Sequence, residues 1–171
     1  MDKIVLFNEK QSFNQKWITL FFIAINGVFV FAFVKQCILG IQLGDKPISN
    51  QSVIIPALLF GIFTFLFYQI NLMTTITEEG IYFKFRPFHF KYKFYSWDKI
   101  AKAYVRKYNP LTDFGGWGIR FGADNMAYNI SGNIGLQIEF RDKSKVLIGT
   151  KKGHEIETIL AKLSAKGIPP N

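Results

Sequence analysis

Two stretches of this chain are apolar without alternation, and most of the chain beyond them alternates. Trp17–Val34 contains no charged residue, and neither does Pro47–Thr77. A helix needs about 20 apolar residues to cross roughly 30 Å of hydrocarbon. The first stretch, continued past Lys35 to Leu43, predicts a membrane span over about 17–43. The second predicts one over about 51–73, with Pro56 in its early turns, where a missing N–H costs least. Both are apolar on every face, and a soluble domain of this size has no core to enclose two such helices. The run is too long for the core of a signal peptide, and no cleavage site follows it. The connector Gln42–Asn50 is rich in turn residues and predicts an antiparallel hairpin with both termini on one side. Gly40 and Gly44 form a GxxxG at the end of the first span. That spacing suits either a close helix contact or helix termination, and its position favours termination.

Period two takes over after Met73. Ile81, Phe83 and Phe85 alternate with Tyr82, Lys84 and Arg86, and after Pro87 the residues Phe88, Phe90, Tyr92 and Phe94 alternate with His89, Lys91, Lys93 and Tyr95. This pattern predicts strands over 81–86 and 88–95, paired across Pro87, with the phenylalanines inward. Further strands are expected over 74–77, 101–108, 117–121, 126–130, 136–140 and 146–149, separated by turn-rich segments. Ile156, Ile159, Leu160 and Leu163 recur at helical spacing and predict an amphipathic helix over 153–166, stopped by Gly167 and Pro169. The expected division is a flank over 1–16, a transmembrane hairpin over 17–73 and a β domain over 74–171.

Charge sharpens this picture. Residues 78–171 carry 16 Lys or Arg against 9 Asp or Glu, a net +7 of the chain's +9. A basic domain beside a bilayer suits anionic headgroups, at about 1 kcal/mol per well-placed cation. The same excess also marks a cytoplasmic side. The single cysteine, Cys37, forms no intramolecular disulfide, which fits a reducing compartment.

Local strings add a resemblance. Asn109-Pro110-Leu111, Asp113-Phe114-Gly115-Gly116-Trp117-Gly118-Ile119-Arg120, Ala127-Tyr128-Asn129 and Leu147-Ile148-Gly149-Thr150 before the helix resemble small bacterial two-span membrane proteins with a C-terminal pleckstrin-homology-like domain. The likeness covers residues 74–166 and the two-span layout. It implies a membrane-anchored α+β protein: a helical hairpin, then an antiparallel β-sandwich or partly open barrel capped by a C-terminal amphipathic helix. It also implies a setting in the bacterial cytoplasmic membrane, and it brings no activity with it.

Chemistry is thin. The glycines of Gly115-Gly116-Trp117-Gly118 precede a strand rather than a helix, so they read as a turn, not a phosphate loop. His89 and His154 are 65 residues apart with no ligand partner nearby, so no metal site is expected. No nucleophile motif or triad is present. Glu78 and Glu79 are adjacent carboxylates in a turn. The expectation is therefore a protein that is not an enzyme and has no cofactor.

The candidate binding residues are Lys84, Arg86, Lys91 and Lys93 on one strand face, with Trp117 and Arg120 as a second edge. Cations facing each other across a hairpin repel, and an anionic partner would relieve them. Long side chains over a solvated sheet face are the plainer alternative. The short acidic turn Glu78-Glu79-Gly80 speaks against a phosphoinositide site. The inward aromatics speak against nucleic acid. The expected function is a non-catalytic membrane-anchored module for protein or anionic-lipid contact, both termini cytoplasmic. The alternative is an auxiliary subunit of a membrane complex acting through its hairpin.

Overall fold

The computed structural model describes residues 4–44, 48–122 and 125–168. The chain divides into two compact units, one running from Phe13 to Gln69 and the other joining the segment up to Ser12 with the segment from Ile70 onward.

The first unit is a helical hairpin. Helix α1 (Lys16–Phe33) runs into a π-helical turn, Val34–Ile38, and α2 covers Gln51–Tyr68. Both are long and apolar enough to cross a membrane, and both leave most of their apolar side chains exposed. Where they meet, Phe22 packs against Phe60, Phe63 and Phe67. The Asn26 amide donates to Thr64 Oγ1 at 3.1 Å and to the Phe22 carbonyl at 2.8 Å. An asparagine inside an apolar helix pair is thereby satisfied within the pair, as a low-dielectric setting requires.

Both helices are shorter than the apolar runs suggest. The first stops because Gly40 takes a left-handed φ of +69°, with the Ile41 N–H closing back onto the Lys35 carbonyl. A Cβ at Gly40 would meet nothing within 4 Å, so this glycine serves the helix end rather than admitting a neighbour. The second stops at Tyr68, and Asn71–Met73 belong to a strand. The centre of the connector, 45–47, lies outside the described residues, as do Ala123, Asp124 and Pro169.

The second unit holds two open sheets. The first has the order β1-β2-β3-β4, from β1 (Val5–Ser12), β2 (Asn71–Thr77), β3 (Gly80–Arg86) and β4 (Lys93–Ser96). Strand β1 comes from the segment counted as a flank. It pairs antiparallel with β2, so the whole hairpin is inserted between two neighbouring strands. The second sheet has the order β5-β8-β9-β7-β6, from β5 (Ile100–Lys107), β6 (Gly118–Phe121), β7 (Asn125–Asn129), β8 (Ile134–Phe140) and β9 (Lys145–Gly149). An all-antiparallel arrangement is expected from the sequence, but β7 runs parallel to β9. Between β5 and β6 lies a short helix, α3 (Pro110–Phe114). Its first turn is capped by Asn109 Oδ1 accepting from the Leu111 and Thr112 amides, and Gly115 closes it in the left-handed region.

The core is made by the inward residues of both sheets: Phe7, Leu72, Ile76, Ile81, Phe83 and Phe85 from the first, Leu136, Ile138, Leu147 and Ile148 from the second. Helix α4 (Gly153–Ala165) packs against β5, β8 and β1 through Ile156, Leu160 and Leu163. Gly153 allows the approach: a Cβ there would sit 2.8 Å from Ile134 Cγ2.

Candidate functional site

The basic residues singled out in the sequence do not share a face. Strand β3 pairs with the last part of the expected 88–95 strand, Lys93–Tyr95 in the short β4, and not with 88–92. Tyr82 lies opposite Phe94, and Phe83 opposite Lys93. Cross-strand partners point to the same side of a sheet. Lys93 therefore lies on the side of buried Phe83, and Lys84 on the side of Tyr82, where that ring stacks on Phe94 at 4.3 Å. Lys93 reaches inward, donating to Tyr128 Oη at 2.9 Å with its ammonium 5.3 Å from the ring centre.

Residues 87–92, expected as a strand with inward aromatics, form a loop with outward ones. Phe88 is 62 %, Phe90 91 % and Tyr92 49 % exposed. Polar contacts on its inner side brace the loop. The His89 amide donates to the Phe85 carbonyl at 2.8 Å, and the Phe85 amide donates to His89 Nδ1 at 3.2 Å. The His89 ring meets Phe83 and Tyr128 edge-on, at 5.8 and 5.3 Å. Lys84 Nζ donates to the Phe90 carbonyl at 2.7 Å and lies 5.6 Å from the Tyr92 ring centre, while Tyr92 Oη contacts Met73 Sδ at 3.2 Å. Lys84 is thus part of the loop's scaffold. Arg86 and Lys91 are exposed, as is Lys93 despite its bond to Tyr128.

Burial and then the nearby Lys93 ammonium hold His89 below the ordinary histidine range. The geometry agrees, because a protonated Nδ1 cannot accept the Phe85 amide. A folded-state value below the unfolded 6.5 means that the unfolded chain binds more protons in the window beneath 6.5. The contribution of His89 is complete above pH 6.5 and is lost as pH falls through that window. Unfolding midpoints measured from pH 7.5 down to 5 should therefore decline less in His89→Gln, which keeps an acceptor but does not titrate. The slope should shrink by at most about one bound proton.

Lys93 also borders an open cleft of about 940 Å³, with Lys99, Lys143 and Lys145 around it and Asp142 as its one carboxylate among the described residues. Asp142 is engaged by the Ser144 hydroxyl and amide, at 2.6 and 2.9 Å, and these bonds keep it below the usual carboxylate range. Tyr95 on the same cleft is pushed up to about 12 by burial and by Tyr128. With four lysines on its lining, the cleft can attract an anion.

Trp117 and Arg120 do not form one edge. Trp117 lies in the bend before β6, and Arg120 lies within the strand. Trp117 Nε1 donates to the Gly132 carbonyl at 3.3 Å. Arg120 lies back over the turn, 3.1 Å from where a Cβ on Gly116 would stand. Among the described residues no three His, Cys, Asp or Glu side chains converge on a metal position.

Comparison with protein-family models, with curated proteins and with solved structures finds no match for this chain.

Proposed function

We propose that the protein is a non-catalytic, membrane-anchored binding module of pleckstrin-homology-like build. It presents its basic β unit at the inner face of a bacterial cytoplasmic membrane, with both termini cytoplasmic, and it contacts anionic lipid there. Two sheets followed by a C-terminal helix support the build, although the parallel β7–β9 pair departs from it.

One observation carries the lipid reading. The strands that lead into and out of the hairpin are neighbours, and Ser12, Asn71 and Arg86 stand in one cross-strand row. The exposed Arg86 and Lys91 therefore lie at the end of the sheet from which the chain departs for its apolar helices. Charges at that place act on headgroups over distances shorter than the Debye length of roughly 8 Å in physiological salt.

The test uses the full chain in a mild neutral detergent. Short-chain phosphatidylglycerol is expected to raise its thermal midpoint and phosphatidylcholine to leave it unchanged, since a ligand that binds only the native state stabilises it. The shift should fall at higher salt and in Arg86→Ser/Lys91→Ser. Equal response to both lipids would overturn the reading. It would leave those cations solvated and favour a protein partner or an auxiliary subunit that works through the exposed helix faces.

A further inference from the structure

Arg86 and Lys91 flank the most exposed aromatic cluster of the β unit. We infer that the loop 87–92 is a membrane wedge: Phe88 and Phe90 enter the headgroup–acyl boundary of the bilayer that holds α1 and α2, with Tyr92, Arg86 and Lys91 at the level of the phosphates. The inference rests on the reading of α1 and α2 as spans.

The loop is built in the reverse of the usual sense. Its His89 amide and ring and its Phe90 carbonyl are bonded on the inner side, by Phe85 and Lys84, while its two phenylalanines are turned out. A water-facing loop of this kind ordinarily carries polar side chains, and clustered apolar exposure marks a contact surface. Phe90 has no role in the core to explain it, being almost fully exposed.

The bilayer is favoured as occupant by the chain's connectivity. Three residues, 13–15, join β1 to α1, and two, Gln69 and Ile70, join α2 to β2. Links of two or three residues reach only about 10 Å when extended. Both leave the row formed by Ser12, Asn71 and Arg86, and the loop begins directly after Arg86. Aromatic rings beside cations are also the side chains that settle at a membrane interface. A soluble protein partner would have to compete for a surface tethered this close to lipid.

The wedge has a depth, and depth can be measured. A nitroxide is placed on Lys91→Cys in the full chain carrying Cys37→Ser, reconstituted in phosphatidylglycerol–phosphatidylcholine vesicles. Collision with oxygen, which concentrates in lipid, is compared with collision with a water-soluble nickel chelate. Glu79→Cys, in the turn at the opposite end of β2, is the aqueous reference. Leu59→Cys, an exposed position in α2, is the lipid reference.

The label at 91 is expected at the interface, several-fold less accessible to nickel than the label at 79. Phe88→Ser/Phe90→Ser should return it to the accessibility of position 79. An aqueous label at 91 beside a lipid-exposed label at 59 would overturn the wedge and leave the anchor intact. An aqueous label at 59 would overturn the anchor itself. A label at 91 that stays immersed after both phenylalanines are replaced would show that they do not hold the loop in the membrane.

Discussion

A chain in which Asn-Gly replaces residues 13–70 folds in water without its helices, whereas residues 70–171 alone do not. Ser12 and Asn71 are cross-strand partners, so two residues suffice to close β1 onto β2, and Asn-Gly suits the twist of such a hairpin. The reason residues 70–171 fail is what β1 supplies. Phe7 is 1 % exposed in the core, and losing a buried phenylalanine side chain costs about 3–5 kcal/mol by itself. Glu9 is buried and receives the Thr150 hydroxyl at 2.6 Å and the Lys151 amide at 2.9 Å. Gln11 donates to the Gly149 carbonyl at 2.7 Å. Without β1 each of these groups loses one bond, a net loss of about 0.5–1.5 kcal/mol apiece, while Thr150 Oγ1 keeps the Lys152 amide. Leu72 and Ile76 would lose part of their cover as well. The total exceeds a large share of a small domain's stability of about 5–15 kcal/mol. Cooperative unfolding by circular dichroism and a dispersed amide NMR spectrum are expected of the joined chain and not of 70–171. A dispersed spectrum from 70–171 would show that β1 is dispensable.

The same strand shows where sequence pattern gives out. The two long helices follow from their unbroken apolar runs, and α4 and the strands of the second sheet from periodicity, although β7 and β8 also bury Asn129 and Gln137. In β1 the inward positions are Phe7, Glu9 and Gln11, so the buried face is mostly polar and no alternation of hydrophobicity marks it. Its charge and amide are tolerated because groups more than 130 residues away, at the end of β9 and the start of α4, bond to them. The loop 87–92 gives the opposite error. Its alternation is as regular as that of β3, and nothing local tells an aromatic that faces a core from one that faces outward. His89 decides the matter by turning inward between Phe83 and Tyr128, a contact with the second sheet that no local pattern contains. Of the candidate site residues, Arg86 and Lys91 end exposed, Lys84 is drawn into a contact with the loop, and Lys93, though exposed, bonds to Tyr128. Strand β4 is too short, at four residues, to impose the pairing that the aromatic run suggests.

Gly80→Ala is expected to destabilise the full chain by about 3 kcal/mol or more, and Gly132→Ala by only about 1. Both glycines have positive φ, +157° and +78°. At Gly132 the added methyl meets nothing within 4 Å, so the cost is conformational alone. At Gly80 it would collide with the Tyr95 carbonyl oxygen and lie 2.9 Å from Ser96 Cα, both backbone atoms that cannot swing aside. Relief requires β4 to move away from β3. Trp97 resists that movement, because its indole N–H donates to the Thr77 carbonyl at 3.1 Å and its amide to the Glu79 carbonyl at 3.3 Å. The turn is tied down elsewhere too: Thr77 Oγ1 donates to the Gly80 carbonyl at 3.1 Å, and Lys166 pairs with Glu78 at 2.6 Å. Thermal midpoints followed by tryptophan fluorescence in mild detergent will compare the two variants. A Gly80→Ala midpoint equal to that of Gly132→Ala would mean the turn is loose. A much lower one makes this short acidic turn a structural corner of the β unit.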